Sequence, residues 1–473
     1  MSENEIDILA IDHGTVTAPA GCGKTHLIAE ALTRHAHNKP ILVLTHTNAG
    51  VAALRGRLDR FGVPAKAYRL ATIDGWAMRL ITTFPARSAH NPDILKLTNP
   101  ATDYPNIRVA AIRLLKAEHI SDILAASYSR LIVDEYQDCS IRQHAIVVYA
   151  ARALPTCVLG DPMQAIFGFG IDNLVEWNEV CACFPLVGEL KTPWRWVNAN
   201  AEPLGHWLLD VRRKLLNRQP VDLRVAPAGV IWVELDGTED HARRLAAARV
   251  KPPANVGSVL IIGDSTSPDS QRKFASQTPG AVTVEAVDLR DFVSFAKNFY
   301  LQAPNALEQL AQFAQSVMTN VGAADLVRRV QTLKAGSARK QPSNVEQVAL
   351  GFATRPTHGG AMDLLVEINK EGGVRTHRPA VLKSCLKALQ LCADCSEMSF
   401  HDAAIWMREQ NRLVGRPLPK RAVGSTLLLK GLEAEVAVIL NARNLNARNL
   451  YVAMTRGSKL LMVCSESPVL NPD

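Results

Sequence analysis

Continuous apolar runs alternate along the first part of the chain with segments whose apolar residues recur at helical spacing. Residues 40–46 (PILVLTH) and Leu131–Val133 are such runs, and Val51, Leu54 and Leu58 repeat at helical spacing after the first of them. Apolar strands that alternate with amphipathic helices predict a parallel sheet carrying helices on both faces. Ligands of such sheets bind at the carboxyl ends of the strands.

The same alternation predicts further elements along the rest of the chain, whose sequence pattern changes near residue 190. Leu70–Trp76 and Cys157–Leu159 are candidate strands, and 85–120 has the pattern of a small insertion. Residues 288–420 are mostly helical in pattern. The remaining predictions are a helix near 199–216, a strand near 229–235, a helix near 239–248, strands at Ser258–Ile262 and Ala281–Val287, an α/β pattern at Ser425–Leu440, a helix at Leu450–Arg456 and a strand at Lys459–Cys464.

A Gly-rich turn, TAPAGCGKT at Thr17–Thr25, ends in Lys-Thr and precedes apolar residues at helical spacing. Glycines let backbone N–H groups approach a phosphate closely, and a helix N-terminus adds partial positive charge. We expect Lys24 to reach the β- and γ-phosphates of a nucleotide and Thr25 to offer its hydroxyl to Mg²⁺. The alternative is a Gly-rich turn that precedes Lys-Thr without binding a nucleotide.

Two acids, Asp134 and Glu135, directly follow the apolar run Leu131–Val133. Carboxylates at the end of a buried strand are costly unless a cation or a proton transfer uses them. We expect Asp134 to hold the hydration shell of Mg²⁺ and Glu135 to orient or deprotonate the attacking water. The run Cys157–Leu159 ends in GDPMQ, which predicts that Gln164 lies near the γ-phosphate. Capping of a following helix is the alternative for the two acids.

Composition narrows the class of protein without choosing one. The 473 residues carry a formal net charge of +8 at pH 7, which tolerates a polyanionic partner but does not prove one. Nine scattered cysteines suit a reducing cytosol. Apolar runs stay well below the roughly 20 residues of a membrane span, and the acidic N-terminal stretch lacks the pattern of a signal peptide. We therefore expect a cytoplasmic protein without a membrane partner.

The order of the motifs resembles that of the UvrD/Rep family of superfamily-one DNA helicases over nearly the whole chain. The segment IVDEYQD at Ile132–Asp138 carries this resemblance most strongly, because the family has DExQD at this point. The other matches, in chain order, are APAGCGKT for motif I, THTNAGVAALRGRL for motif Ia, TIDGW for the next DNA-contacting motif, LGDPMQAIFGF for motif III, LKTPWRW for motif IV, LLLKGLEAEVAVI for motif V and RNLYVAMTRGSKLL for motif VI.

The resemblance implies an α/β protein with two RecA-like P-loop NTPase domains, ATP in the cleft between them and a small, mostly helical subdomain inserted in each. The first RecA-like domain would comprise 1–85 and 121–189, with 86–120 as its insertion. The second would comprise 190–287 and 421–473, with 288–420 as its helical insertion.

The resemblance also implies roles in a site for ATP and Mg²⁺. Gln164 matches the glutamine that senses the γ-phosphate, and Glu433 matches a residue near the ribose and phosphates. Mg²⁺ would be held by Thr25 and Asp134, with Glu135 as the catalytic acid or base. The phosphate cradle would consist of Ala18, Pro19, Ala20, Gly21, Cys22, Gly23, Lys24 and Thr25.

Two arginines, Arg195 and Arg456, match those that the family's second domain lends to the γ-phosphate. Such arginines stabilise charge on the transferring phosphoryl group, an effect worth about 10³–10⁵ in rate in other NTPases. Taken alone, Arg195 also fits an arginine stacked on Trp194 or Trp196, and Arg456 fits a charge at a helix C-terminus.

Single-stranded DNA is implied to cross the tops of both domains and to stack its bases on aromatic side chains. The residues that match these contacts are Thr47, Asn48, Thr72, Trp76 and Phe167. His46 stands where the family usually has Phe. For Trp76 and Phe167 the alternative is core packing, because aromatic side chains in nucleotide-binding domains are usually buried.

A cysteine cluster allows a second kind of site. Cys392 and Cys395 form a C-x-x-C, with Cys385 before it and His401 after it, so a zinc or iron–sulfur site stays open. The alternative is buried free thiols, because 385, 392 and 395–396 fit one apolar helical face with Leu382, Leu386 and Leu389.

The motifs favour an ATP-driven motor on single-stranded, tailed or forked DNA, moving 3′→5′ by resemblance. The alternative is a nucleotide- and DNA-gated sensor subunit that activates a partner nuclease and unwinds little. Short helicases with TIDGW- and DEYQD-like motifs resemble the helicase subunit of Gabija-type antiphage systems, in which a separate nuclease of the OLD family cuts DNA.

Overall fold

The computed structural model describes residues 6–36, 38–167, 172–253, 257–395, 397–413 and 419–472. The chain divides into two compact units. The first comprises Met1–Trp232, Ala442–Leu461 and Ser467–Asp473, and the second comprises Val233–Asn441 and Met462–Glu466. The chain thus leaves the first unit after residue 232 and returns to it at 442.

The first unit contains the parallel sheet that the N-terminal alternation predicts. Its strands are β1 (His13–Thr17), β2 (Ile41–Thr45), β3 (Tyr68–Thr72), β4 (Arg130–Val133), β5 (Thr156–Gly160) and β6 (Leu186–Glu189). They pair in parallel in the order β3-β2-β4-β5-β1-β6. Because β5 lies between β4 and β1, the segments that follow these three strands emerge side by side.

The helices of this unit connect successive strands. They are α1 (Lys24–Arg34), α2 (Asn48–Arg60), α3 (Ile73–Thr83), α4 (Pro85–Ser88), α5 (Pro100–Lys116), α6 (Ser121–Ser127), α7 (Ile141–Ala150), α8 (Trp177–Cys183), α9 (Trp194–Val197) and α10 (Glu202–Leu216). Two strands, β7 (Val221–Asp222) and β8 (Val230–Glu234), follow. Helices α4 and α5 lie within the predicted insertion at 85–120, and α6 begins directly after it.

Successive residues of the central strands pack into different cores. Leu42 and Leu44 of β2 belong to a core shared with α3 and α5, whereas Ile41 and Val43 belong to a core shared with α1 and α2. Side chains alternate between the two faces of a strand, so a sheet covered on both faces leaves its strands no polar face. This burial explains the continuous apolar run at 41–45 and confirms the predicted α/β fold.

The predicted strand at Leu70–Trp76 is wrong in its second half. Strand β3 ends at Thr72, and α3 begins at Ile73. The Thr72 hydroxyl accepts a hydrogen bond from the backbone N–H of Gly75, which caps the new helix. Ile73, Ala77 and Leu80 then recur at helical spacing and are buried.

The second unit contains another parallel arrangement. Its elements are α11 (Asp240–Ala248), β9 (Val259–Ile262), α12 (Pro268–Gln277), β10 (Val282–Thr283), α13 (Arg290–Asn298), α14 (Ala306–Val317), β11 (Met318–Thr319), α15 (Ala323–Lys334), α16 (Asn344–Thr354), α17 (His358–Lys370), β12 (Arg375–Thr376), α18 (Pro379–Asp394), α19 (Phe400–Leu413), β13 (Arg421–Gly424), α20 (Thr426–Leu429) and β14 (Ala434–Ile439). The predicted strand at Ala281–Val287 is shorter than expected.

The last elements of the chain are α21 (Ala447–Met454), β15 (Gly457–Ser465) and β16 (Val469–Leu470). The second sheet has the order β10-β13-β9-β14-β15-β8, and the pairs β10–β13, β13–β9 and β9–β14 are parallel. Helices α13 to α19 enclose a separate apolar core that runs from Leu289 to Met407. A six-stranded sheet in addition to the first one agrees with the predicted α/β fold of two RecA-like domains.

Candidate functional site

The carboxyl ends of β4, β5 and β1 bring three predicted segments of the first unit together. We call this region the charged side; it comprises Ala18–Thr25 after β1, Asp134–Gln137 after β4 and Asp161–Gln164 after β5. Thr17 pairs with Gly160, and Val133 pairs with Val158, so the three segments start at nearly the same level. The prediction that the GDPMQ strand lies beside the other two is confirmed.

The turn between β1 and α1 has the backbone shape of a phosphate cradle. Gly21 and Gly23 have φ angles of 74° and 87°, in the left-handed region that favours glycine. The side chains of α9 lie against this turn: a Cβ on Gly21 would lie 2.5 Å from the Trp196 ring, and one on Gly23 would lie 2.9 Å from the Trp194 ring. Both glycines are therefore required by conformation and by close packing.

Lys24 is ion-paired with both acids that follow β4. Its Nζ lies 3.0 Å from Asp134 Oδ1 and 2.5 Å from Glu135 Oε1. Burial lowers the pKa of Lys24, but the two carboxylates outweigh it and raise that pKa above its usual value, so Lys24 stays charged. Burial raises the pKa of Asp134, opposed by Lys24. The three side chains form a compact group with one positive charge facing two carboxyls.

Glu135 has an unusual backbone and a fixed side chain. Its φ of 54° lies in the left-handed region, which costs a non-glycine residue about 1–3 kcal/mol and persists only where neighbours hold it. Its second carboxylate oxygen accepts a hydrogen bond of 2.5 Å from Gln137 Nε2. The Gln137 side-chain oxygen in turn accepts one of 3.1 Å from the backbone N–H of Asp161. Glu135 is therefore held from two sides.

Gln164 is fixed by the carboxylate of the same segment. Its Nε2 donates to Asp161 Oδ2 at 3.1 Å, and the backbone N–H of Met163 donates to Asp161 Oδ1. Gln164 is largely buried and Asp161 is fully buried. The sequence-predicted residues Lys24, Asp134, Glu135 and Gln164 thus belong to one hydrogen-bonded region.

Thr25, the predicted Mg²⁺ ligand, contacts an arginine that sequence reasoning missed. Arg57 Nη1 donates a hydrogen bond of 2.8 Å to the Thr25 hydroxyl. Arg57 lies near the end of α2, the helix that begins with Asn48. The spacing of residues along α2 does not distinguish position 57 from its neighbours, so this contact could not be predicted from the sequence.

The two predicted phosphate-facing arginines come close to each other in the first unit. Arg195 Nη1 donates to the backbone oxygen of Thr455 at 2.6 Å, and Thr455 directly precedes Arg456. The Arg195 guanidinium also lies 5.3 Å from the centre of the Trp196 ring. Arg456 is buried and donates from Nε to the backbone oxygen of Val452 at 2.8 Å. Arg195 thus makes the aromatic contact of its alternative, a stacked arginine. Arg456 makes the contact of its alternative, a charge at a helix C-terminus.

Two further residues bear on nucleotide binding: Trp194, next to the phosphate cradle, and Glu433, which the sequence predicts to lie near the nucleotide. Trp194 is 49% exposed and lies beside Gly23 of the phosphate cradle. Glu433 belongs to the second unit, where it is exposed in the segment between α20 and β14.

Three of the predicted DNA contacts, Thr47, Asn48 and Thr72, lie at the carboxyl ends of β2 and β3, and Phe167 follows β5. We call this region the hydroxyl side; it comprises His46, Thr47, Asn48, Thr72 and Phe167. Thr45 pairs with Thr72, so β2 and β3 end at one level, and β2 lies next to β4. The Thr47 hydroxyl accepts a hydrogen bond of 3.0 Å from the backbone N–H of Gly50, which caps α2, and Asn48 is exposed. The centres of the His46 and Phe167 rings lie 5.7 Å apart, and both rings are partly exposed.

Trp76 does not present a ring to the surface. It is 1% exposed and belongs to the core formed by α3, α5 and the central strands. Its indole N–H has no hydrogen-bond partner among the described residues. The predicted DNA contact of Trp76 therefore does not fit this structure, and core packing, the alternative, does.

A charged network that the sequence did not indicate lies beneath α3. The guanidinium of Arg108 makes two hydrogen bonds to the Asp74 carboxylate, at 2.7 and 2.6 Å, and one to Asp172 at 2.6 Å. Asp172 also accepts from Arg142 at 2.8 Å. Burial opposes the charge of Arg108, but the two carboxylates raise its pKa above the usual value. This network ties α5 to α3 and α7.

The cysteine cluster shows the alternative of buried thiols rather than a metal site. Cys385 and Cys392 are buried on α18 in the core of the helical region, whereas Cys395 is exposed. Burial raises the pKa of both buried thiols. The described ranges contain no group of three or more His, Cys, Asp or Glu side chains that could hold a metal ion. Over the same ranges, no helix is long and apolar enough to cross a bilayer.

The charged side has the chemistry to hold a nucleoside triphosphate with Mg²⁺. Hydroxyl and carboxylate oxygens, as on Thr25 and Asp134, are the ligands that Mg²⁺ prefers. The left-handed glycines and the start of α1 form the cradle for phosphate oxygens. Lys24 is ion-paired with both carboxyls in this structure, and a bound phosphate group would compete with them for its positive charge. Glu135 is held from two sides, and a carboxylate is a group that can accept a proton.

Residues 93–174 match the family model of the UvrD/REP helicase N-terminal domain. This stretch includes Asp134, Glu135 and Gln164, and the match confirms the resemblance to UvrD/Rep helicases drawn from the motifs. No curated protein matches the chain.

Two solved structures of helicases resemble the chain. One is arterivirus nonstructural protein 10, a helicase solved with DNA, with 10% identity and a TM-score of 0.35 over 96% of this chain and 60% of that one. The other is the Pif1 helicase of Candida albicans, with 12% identity and a TM-score of 0.31 over 59% of this chain and 55% of that one. The chain therefore spans less than two thirds of the length of either protein.

Proposed function

We propose that this protein is an ATP-dependent DNA helicase or translocase of superfamily one and of UvrD type. The observation that carries the proposal is the convergence of Lys24, Asp134, Glu135 and Gln164 at the adjoining ends of β1, β4 and β5. The family match over residues 93–174 supports a nucleotide-driven helicase independently of that geometry. The basic net charge of +8 suits a polyanionic partner.

In this proposal the residues of the charged side divide the work on ATP. The backbone of Ala18–Gly23 and Lys24 bind the phosphates, and Glu135 accepts the proton of the attacking water. Mg²⁺, held by Thr25 and Asp134, would supply charge neutralisation on the phosphate oxygens. Gln164 senses the γ-phosphate. Arg195, Arg456 and Glu433 act on the nucleotide, as the resemblance implies, although Arg195 and Arg456 lie in the first compact unit.

The hydroxyl side would contact the DNA strand. Thr47, Asn48 and Thr72 offer hydroxyl and amide groups to the DNA backbone, and Phe167 offers a ring for stacking. By resemblance the motor moves 3′→5′ on single-stranded, tailed or forked DNA in the cytoplasm. The resemblance to Gabija-type helicases extends the proposal to a role in antiphage defence with a nuclease partner of the OLD family.

The test is ATP hydrolysis with and without single-stranded DNA, together with strand displacement from duplexes that carry a 3′ or a 5′ tail. We expect DNA to stimulate hydrolysis and displacement to require the 3′ tail. Lys24→Ala should abolish both activities, and Lys39→Ala, which changes an exposed lysine, should leave both unchanged. ATPase activity that ignores DNA would contradict the proposal. Nucleotide-dependent DNA retention without displacement would instead favour the sensor subunit.

A further inference from the structure

A buried arginine outside every sequence motif, Arg212 of α10, contacts the charged side. It is 5% exposed. Its Nε and Nη2 both lie 3.0 Å from Asp161 Oδ1, and its Nη1 lies 2.6 Å from Glu189 Oε1. Burial alone would lower the pKa of Arg212, but Asp161 foremost raises it above the usual value. The guanidinium is therefore a fixed positive charge shared between two carboxylates.

The two carboxylates belong to the strands on either side of β1. Asp161 follows β5, Glu189 ends β6, and the sheet order places β1 between these strands. Arg212 thus bridges the ends of the strands that flank β1, whose own end continues into the phosphate cradle. A second contact holds the same turn, because the backbone N–H of Ala20 donates to the Tyr451 hydroxyl at 3.2 Å.

A continuous chain of hydrogen bonds leads from Arg212 to the reacting end of the charged side. The Asp161 carboxylate that Arg212 binds also accepts from Gln164 Nε2. The Asp161 backbone N–H donates to Gln137, and Gln137 donates to Glu135. Both the glutamine and the glutamate of the proposed hydrolysis are therefore anchored on the residue that Arg212 holds.

We propose that Arg212 is a positioning residue for ATP hydrolysis, which acts through Asp161 on Gln164 and on the Gln137–Glu135 pair. The inference rests on the proposed ATPase function and adds a residue that touches neither nucleotide nor DNA. Asp161 is fully buried, so removing Arg212 leaves a carboxylate without its cation in a site that water does not reach. The carboxylate then changes its position, and Gln164 and Gln137 lose their common anchor.

The experiment compares Arg212→Met and Arg212→Lys with wild type by kcat for ATP, KM, equilibrium binding of a fluorescent ATP analogue and thermal unfolding. Arg378→Met is the matched control, because Arg378 is equally buried and pairs with Glu285 and Asp291 in the second unit. We expect Arg212→Met to lower kcat about 10- to 100-fold, the usual effect of losing an outer-shell partner. Nucleotide affinity should change little, Arg212→Lys should recover part of kcat, and Arg378→Met should reduce stability without reducing kcat.

A double variant separates positioning from general destabilisation. If Arg212 acts through Gln164 and Glu135, the loss in kcat from Arg212→Met should shrink in a Gln164→Ala background. Full additivity, or an unchanged kcat in Arg212→Met, would overturn the inference. If Arg212→Met does not fold, Arg212→Lys and Glu189→Gln decide, and wild-type kcat in both would overturn it. An inactive wild type would instead refute the proposed function.

Discussion

The charged side and the hydroxyl side occupy the same edge of one sheet but are built by different means. On the charged side, buried ionic groups hold one another: Lys24 pairs with Asp134 and Glu135, and Arg212 pairs with Asp161. On the hydroxyl side, Thr47 and Thr72 cap helices, and the partly exposed His46 and Phe167 rings contact each other. The charged side is thus held by ion pairs before any ligand binds. The hydroxyl side instead presents hydroxyl groups at helix ends and two partly exposed rings.

The difference follows from what each side has to hold. A polyphosphate concentrates charge, so a preorganised, poorly hydrated set of ions stabilises its reacting form strongly. A DNA strand of any sequence offers stacking faces and spread-out phosphates, and its affinity sums many weak contacts. Single changes on the charged side should therefore have large effects on rate, and single changes on the hydroxyl side should have small effects on affinity.

The largest effect is expected for Glu135→Gln, which removes the proton acceptor and keeps the shape of the side chain. General base catalysis contributes about 10²–10⁴ to the rate, so kcat should fall by that factor. Binding of ATP should persist, because Lys24 and the turn at Gly21–Gly23 stay in place. Steady-state hydrolysis and equilibrium binding of a fluorescent ATP analogue check the two expectations.

Glu179→Gln is the control for that variant, because Glu179 is an exposed glutamate of α8 in the same unit. It should hydrolyse ATP at the wild-type rate. If the Glu135→Gln protein kept more than a tenth of the wild-type kcat, Glu135 would not be the proton acceptor. The charged side would then no longer differ from the hydroxyl side in its effect on the rate.

The next effect concerns stability and Trp76, the buried tryptophan of α3. Trp76→Ala leaves a large cavity in the core and should lower the free energy of unfolding by about 3–5 kcal/mol. Trp76→Phe should cost much less, since it also removes an indole N–H that has no partner in the described structure. Urea denaturation measures both. If Trp76→Phe binds DNA as tightly as wild type, Trp76 serves core packing. A tenfold loss of DNA affinity at unchanged stability would instead indicate that the Trp76 ring stacks on DNA.

The charged side could be predicted from the sequence because its chemistry is rare at strand ends. Two acids after a buried strand, or Lys-Thr after a Gly-rich turn, have few structural uses, so Lys24, Asp134 and Glu135 stood out. The supporting residues did not stand out. Arg57 lies in the segment that resembles motif Ia but carries no signal for a contact with Thr25, and Arg212 lies outside every motif. Their partners, Thr25 and Asp161, are 32 and 51 positions away in the sequence. Such pairs depend on strand order, which local patterns do not encode.

The hydroxyl side could be predicted less well because its residues are common ones. Threonines before helices are capping residues in most proteins, and the pattern at Thr47 and Thr72 predicts a cap as well as a DNA contact. Trp76 shows the limit: its place in TIDGW suggested a ring for DNA, yet the helix that starts at Ile73 turns that ring into the core. The error in the strand prediction at Leu70–Trp76 has the same origin.

A smaller effect is expected for Phe167→Ala. Stacking of one base on an aromatic ring is worth about 1–3 kcal/mol, so affinity for single-stranded DNA should fall by roughly 5- to 150-fold with little change in ATP binding. Phe61→Ala is the control, because Phe61 is 49% exposed just beyond the end of α2. Fluorescence anisotropy with a labelled oligonucleotide at fixed salt measures both. Equal affinities for the two variants would exclude Phe167 from the DNA contact.

The smallest effect, and the finest test of the hydroxyl side, is expected at Thr47. Its hydroxyl caps α2 through the Gly50 N–H, so Thr47→Ala should lower stability by about 1 kcal/mol. Thr47→Ser keeps the hydroxyl and should restore both stability and DNA affinity if the hydroxyl serves both purposes. A serine variant that regains stability but binds DNA as weakly as the alanine variant would assign the DNA contact to the threonine methyl group. Alanine and serine variants with wild-type affinity would leave Thr47 a helix cap alone, and the hydroxyl side would then depend on Asn48, Thr72 and Phe167.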